Sequence, residues 1–349
     1  MEQTSMYDSI SRTRTIVTIG GGTGTHTLLT GLKKYPAHAI EPVAVVTMAD
    51  SGGSTGRLRD EFGYLPVGDV RMALVALAEG DGDTMLRRLF MHRFDRGEGL
   101  RGHNVGNLLL VAMTDLLGSE EAAILEVSKI LRIRGKVLPV TKDHVDLLAQ
   151  YEDGSVVRGE THIDEPEDSH DSSLKISKLW LDPAPAVSER VVHEIERADL
   201  VVLGPGDLYT SLLANIVVPG VAEALQHTDA PIVYIMNLMT KLGQTNGFGA
   251  KAHLDEVVRY VGRAPDAVVV NSAALPGEIL AAYEKEGEEP VYDDLGEAPH
   301  GARVIRADLL GDEVVVQPDG DILKRSLIRH DPDKLAGALM VSGSSPLFI

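Results

Sequence analysis

The chain contains no cysteine, which excludes thiolate catalysis, disulfides and cysteine-ligated zinc, and fits a reducing compartment. Aromatic residues make up only 4% of its 349 positions, and Trp180 is the single tryptophan. Positive charge is scarce as well: 33 Lys and Arg stand against 52 Asp and Glu, for a formal net charge of -19. Single-stranded nucleic acid is bound by aromatic platforms on basic surfaces, so no nucleic-acid partner is expected. The same charge repels anions at long range. Any phosphate site must therefore be built locally, from backbone N–H groups, helix N-termini and a few arginines. No apolar run is long enough to span a bilayer, and the leader over residues 1–14 lacks the apolar core of a signal peptide. These absences predict a cytoplasmic protein with no membrane insertion.

What is present is an α/β rhythm. At 44% hydrophobic the chain can bury a large core, and residues 15–349 read as one α/β nucleotide-binding unit. TIVTIGG (15–21) and EPVAVVTMAD are apolar, β-branched strands. Helical spacing follows in DVRMALVALAEG, DTMLRRLFMHRF, NVGNLLLVAMTDLLG and SEEAAILEVSKILRI, the last with Ser119 as cap. From Gly135 the pattern changes to alternation in GKVLPVT, HVDLLAQYEDGSVVRGETHI and LKISKLWLDP, which predicts an antiparallel β-rich insertion over about 135–182 with a hairpin at Asp153 and Gly154. EPEDSHDSS (165–173) predicts an exposed loop. Strand and helix then alternate again through ADLVVLGPGDLYTSLLANI, APIVYIMN, AKAHLDEVVRYVG and DAVVVN, and VIRADLL, EVVVQP and LIRHDPDKLAGALM read as edge strands closing with a helix. The expected fold class is a Rossmann-like, mostly parallel sheet with helices on both faces and an inserted antiparallel lobe.

Three strand ends carry glycine-rich loops: GGGTGT (20–25), DSGGSTG (50–56) and GPGDLYTS (204–211). One such loop is often only a tight turn, but three at strand ends predict a phosphate-rich ligand held by backbone N–H groups. The candidate binding residues are Gly20, Gly21, Gly22, Thr23 and Gly24 of the first loop, Asp50, Gly52, Gly53 and Ser54 of the second, and Gly204 and Gly206 of the third. Asp50, at the end of the second strand, suits a ribose or a metal. Asp69 is either the cap of its own helix or, with Asp50, a ligand of Mg²⁺. His103, Asn104 and Asn107 stand at a helix start, where amides can read ribose hydroxyls, a base edge or phosphate. Arg57 and Arg59 either clamp a diphosphate or pair with Asp60 and Glu61. Asn237 and Thr240, ending a later strand, and Arg329 in LIRHDP complete the set. A nicotinamide-dependent oxidoreductase is the weaker alternative: GGGTGT lacks the third glycine of the dinucleotide fingerprint, and a second glycine loop follows Asp50 directly.

The ordered set GGGTGT, VVTMADSGGSTGRLR, PVGDVR, FMHRF, GLRGHNVGNLLL, RGKVLP, LGPGDLYTSLLANIVVPG, NLMTKLGQTNGFGA and IRHDP resembles the gluconeogenesis factors, the UDP-sugar-responsive branch of the superfamily that includes 2-phospho-L-lactate transferase (CofD). The resemblance runs from about residue 15 to the C-terminus. It implies a cytoplasmic regulator that binds a UDP-sugar such as UDP-N-acetylglucosamine, acts on a metabolic enzyme partner, and links carbon flux to cell-wall precursor supply and cell shape. The transferase relatives imply an alternative, Mg²⁺-dependent transfer of a phospholactyl group to a deazaflavin in coenzyme F420 synthesis. Ser51 stands where the family commonly has a second Asp and Asn246 replaces another acid, which weakens metal-dependent catalysis; Pro332 removes a phosphorylation acceptor. A symmetric homodimer is the expected assembly.

Overall fold

The computed structural model describes residues 12–80, 84–166, 170–311 and 327–340. Its strands are β1 (Arg14–Gly20), β2 (Ile40–Val46), β3 (Lys136–Pro139), β4 (Asp146–Tyr151), β5 (Val156–Arg158), β6 (Ile176–Asp182), β7 (Leu200–Leu203), β8 (Ile232–Ile235), β9 (Ala267–Asn271) and β10 (Arg303–Ala307). Among the described residues, seven of them form one sheet in the order β10-β9-β8-β7-β1-β2-β3, and every neighbouring pair is parallel. A parallel sheet is covered on both faces, so its strands are apolar throughout rather than alternating. In β7 all four residues are buried, with Leu200 and Val202 facing one layer and Val201 and Leu203 the other.

The helices of the first half are α1 (Gly22–Leu32), α2 (Gly53–Phe62), α3 (Gly68–Leu77), α4 (Met85–Met91), α5 (Val105–Leu117), α6 (Glu120–Leu131) and α7 (Glu160–Asp164). Those of the second half are α8 (Glu189–Glu196), α9 (Ala214–Ile216), α10 (Val221–His227), α11 (Ala250–Val261), α12 (Gly277–Glu284) and α13 (Pro332–Met340), with a π-helix over Leu208–Leu213. On one face α1 and α13 cover Ile16, Leu200, Val202, Val233 and Val269 through Leu28, Leu32, Leu335 and Leu339. Burying one such leucine contributes roughly 1.5–3 kcal/mol. The two helices approach closely because Gly31 has no side chain: a Cβ there would lie 2.0 Å from the Pro332 carbonyl oxygen. On the other face α8, α10 and α11 bring Ile195, Leu225 and Leu254 over Val17, Val201 and Val268.

The expected lobe is a three-stranded antiparallel sheet, β5-β4-β6, with its turn at Asp153 and Gly154, where Gly154 has φ 86°. Two readings are corrected. Lys136–Pro139, taken as part of the alternating group, is the edge strand of the parallel sheet and pairs with Val43–Val46. GETHI, read as strand, opens α7 instead, because β5 ends at Arg158 and Gly159 turns the chain with φ 96°. EVVVQP lies outside the described residues, as do residues 167–169 of the acidic loop and residues 1–11 of the leader. No single helix among the described residues is long and apolar enough to cross a membrane.

Candidate functional site

The strand order reverses direction at β1, whose neighbours are β2 on one side and β7 on the other. Ligands of open α/β sheets bind at that switch point, beyond the carboxyl ends of the strands. A cavity of about 290 Å³ opens there, lined by the loops that follow β1, β2, β7 and β8, by α7 from the lobe, and by Ile328–His330. Of the sequence candidates it gathers Gly21, Gly22, Thr23, Gly24, Asp50, Gly52, Ser54, Asp69, Asn107, Gly206, Asn237, Thr240 and Arg329.

The N-termini of α1, of α2 and of the π-helix after Asp207 border this space, and none is covered by a side chain at its own cap position. The first loop can close in only because Gly24 is glycine, since a Cβ there would lie 2.3 Å from the Pro205 carbonyl oxygen and 2.9 Å from the Gly206 nitrogen. Asn237 bolts the β8 loop to the third glycine loop, its Nδ2 donating to the Gly206 carbonyl at 2.7 Å. Thr240 supports this wall, exchanging hydrogen bonds with the backbone of Glu289.

Asp69 does not cap its own helix, whose cap position is Val67. Its Oδ1 instead accepts the Gly22 N–H at 2.8 Å, so α3 supplies the acceptor that Gly21 cannot offer α1. Asp50 accepts the Gly52 N–H at 2.8 Å and the Thr55 hydroxyl. That hydroxyl also receives Asn107 Nδ2 at 3.3 Å, and Asn107 Oδ1 receives Arg71 Nε at 2.7 Å. A hydrogen-bonded relay therefore runs from a carboxylate to a guanidinium across the cavity wall. Asn104 is structural: it caps α5, accepting the Asn107 N–H at 3.2 Å. His103 lies behind it, its Nδ1 3.2 Å from Ser54 Oγ.

Seven candidates fall outside the lining. Gly20 ends β1, and its carbonyl accepts from Asn215 Nδ2. Gly53 and Gly204 sit just behind the cavity-lining glycines of their loops, while His103 and Asn104 anchor α5. Arg57 is exposed and donates to the Arg101 carbonyl at 3.1 Å. Arg59 clamps no diphosphate and pairs with neither Asp60 nor Glu61; it forms an ion pair with Asp146, tying α2 to the lobe. Asn246 is a turn residue whose Oδ1 accepts the Gly243 N–H.

The structure adds charges that the sequence did not single out. Glu160 and Asp164 of α7, Asp207, Glu288 and Lys241 line the cavity along with Arg71 and Arg93. Asp164 accepts from Gln244 Nε2 at 3.0 Å and from Lys241 Nζ at 3.4 Å. These acids carry no local spacing signal in a chain with 52 of them.

Burial, and then the neighbouring Asp50, push Asp69 up to about 7. Burial and Asp164 push Asp207 up to about 6. Glu160 is raised well above the carboxylate range by burial and by Asp50, Asp164 and Asp69. Burial works to lower Lys241, but Asp207 and Asp164 outweigh it and raise its pKa. On α1, burial and then Arg87, Arg329 and Arg71 hold His26 down to about 3. Both signs of charge therefore meet in the cavity: Asp50 and Asp69 feel Arg71, while Asp164, Asp207 and Glu288 surround Lys241.

As a Mg²⁺ site the residues fit one mode only. Among the described residues, no three or more His, Asp or Glu side chains form a group able to hold a metal ion, so these residues make no closed cage. Mg²⁺ commonly uses one or two carboxylates plus phosphate oxygens. Asp50 and Asp69 supply such a hard-oxygen pair, and a cation would relieve the repulsion that raises Asp69.

A family model described as 2-phospho-L-lactate transferase CofD matches residues 16–310. The gluconeogenesis factor of Halalkalibacterium halodurans is 39% identical over 329 residues, covering 94% of this chain and 96% of that protein. That of Bacillus subtilis is 40% identical over 332 residues, covering 93% of this chain and 96% of its own. A crystal structure of a Bacillus halodurans protein superposes with a TM-score of 0.83 at 38% identity, covering 94% of this chain and 99% of that one. By the extent of the family match, and by relatives this similar over nearly their whole length, the chain belongs to the CofD family, alongside its gluconeogenesis factors.

Proposed function

We propose that the switch-point cavity binds a nucleotide sugar of the UDP-sugar class and that the protein acts as a cytoplasmic regulator, relaying precursor supply to a metabolic enzyme that controls carbon flux, cell-wall synthesis and cell shape. The convergence of three helical N-termini on a cavity walled by Arg71, Arg93 and Arg329 carries this reading. Oriented N–H groups and guanidinium groups suit a diphosphate, and the carboxylates and amides that share the cavity suit sugar hydroxyls. Charge-assisted hydrogen bonds contribute roughly 1.5–3 kcal/mol each, so a few reach the ~8 kcal/mol of micromolar binding. The names of the relatives agree with a role in gluconeogenic metabolism.

Calorimetric titration with UDP-N-acetylglucosamine, with GDP, NAD⁺ and added Mg²⁺ as controls, tests the reading. Selective, saturable UDP-sugar binding without consumption supports it; equally weak binding of all nucleotides contradicts it. A second reading, Mg²⁺-dependent group transfer, draws on the Asp50–Asp69 pair and on the family description. There Asp50 and Asp69 would hold the ion, which would neutralise charge on the donor's phosphates. Product formation from a guanosine diphosphate donor and a deazaflavin acceptor would favour it over the first.

A further inference from the structure

Two acids of α7, the helix that the lobe sends to the cavity, line its wall, and they are bonded differently. Both oxygens of Asp164 are engaged: Oδ1 accepts Gln244 Nε2 at 3.0 Å and the Thr210 hydroxyl at 3.4 Å, and Oδ2 accepts Lys241 Nζ at 3.4 Å. Asp164 is thus a strut that fastens the end of α7 to the β8 loop and to the π-helix. Near the start of α7, Thr161 donates its N–H to Ser51 Oγ at 3.0 Å, which fastens the helix to the second glycine loop. A helix held at both ends presents its remaining side chains in fixed positions.

Glu160 is the side chain so presented. Its Oε2 receives two long hydrogen bonds, from the Ser51 N–H at 3.5 Å and the Thr161 hydroxyl at 3.4 Å, and its Oε1 receives none among the described residues. A carboxylate has about four lone-pair sites, so most of the accepting capacity of Glu160 is unused. Oε1 is not closed off either: the residue is half-buried, and this oxygen is not among the sealed polar atoms that lack a partner, so water reaches it. Asp50, Asp164 and Asp69, the charges that the Glu160 carboxyl feels, all line the cavity, which is where the oxygen opens. Ionised carboxylates accept hydrogen bonds and donate none. Phosphate oxygens are acceptors too and would meet only repulsion there, whereas hydroxyl groups, which donate, are the complementary chemistry.

Building on the nucleotide-sugar reading, we propose that Glu160 is a specificity-determining residue through which the inserted lobe reads the ligand, its Oε1 accepting a hydrogen bond from a hydroxyl of the sugar carried on the diphosphate. A nucleoside diphosphate without that sugar offers Glu160 no such donor, and a site built to bond a hydroxyl rejects the analogue lacking it.

The test is a set of titrations. Wild type, Glu160→Gln and Glu160→Ala are titrated with UDP-N-acetylglucosamine and with UDP, with thermal melts to show that each variant is folded. Wild type should prefer the sugar-bearing ligand by about tenfold or more. Glu160→Ala should lose most of that preference, and the near-isosteric Glu160→Gln, which keeps a carbonyl acceptor, should lose less of it. A folded Glu160→Ala that keeps the full preference overturns the assignment. So does one that loses affinity equally for both ligands, since the donor would then belong to the ribose they share or the effect would be structural. Wild type that binds the two ligands equally also overturns it, while nucleotide binding at the cavity stands. Failure of wild type to bind either ligand overturns the nucleotide-sugar reading as well.

Discussion

At the scale of single residues, the site depends on one close approach and one uncomfortable carboxylate. Gly24 lets the first turn of α1 touch the Pro205–Gly206 backbone, which cannot yield as a flexible side chain could. Gly24→Ala should therefore cost about 1–3 kcal/mol of stability, read from denaturant unfolding, and should weaken nucleotide binding by moving two loops apart. Asp69 is raised from 3.8 to about 7 in the folded protein. The native state then binds more protons than the unfolded chain, so between about pH 4 and pH 7 stability falls as pH rises, and above pH 7 the full penalty is present. Asp69→Asn keeps an acceptor for the Gly22 N–H but removes the charge. It should flatten this slope and stabilise the protein at pH 8 by on the order of 1 kcal/mol or more; an unchanged pH profile of thermal melting would show that Asp69 ionises freely.

At the scale of elements, α5 positions the relay of Asn107, Arg71, Thr55 and Asp50 through its cap. Asn104→Ala removes the acceptor for the Asn107 N–H, 3.2 Å away, and should cost about 1 kcal/mol in unfolding measurements, with a parallel loss of nucleotide affinity as Asn107 loses its fixed place. A variant destabilised by this amount with unaltered affinity would detach the cap from the site. The strands and most helices were legible because their signals are local: continuous apolar runs for β1, β2 and β7–β9, and a Ser119 cap before α6. Lys136–Pro139 misled because four residues hold too little sequence to tell a parallel edge strand from an antiparallel one. DSGGSTG reads as loop although α2 begins within it at Gly53, because its glycines and hydroxyls lack an apolar period. Glu160 and Asp164 escaped notice for a different reason: they reach the cavity from the lobe, and nothing near them in sequence announces that crossing.

At the scale of the whole molecule, a formal charge of -19 surrounds a site proposed to take an anion. Long-range repulsion is screened by salt, whereas helix N-termini and arginines act at short range. The association rate constant for a UDP-sugar should thus rise between about 10 and about 150 mM salt, on the order of twofold, in stopped-flow measurements; a falling rate would mean that the arginines lining the cavity dominate the approach. The central claim is that the ligand sits in the switch-point cavity, which Arg71 lines and Arg57 does not. Titration of UDP-N-acetylglucosamine into folded Arg71→Gln and Arg57→Gln proteins, beside wild type, tests that placement most directly. The account predicts an affinity loss of about tenfold or more, 1.4 kcal/mol, for Arg71→Gln and almost none for Arg57→Gln; equal losses, or a loss confined to Arg57→Gln, would contradict it.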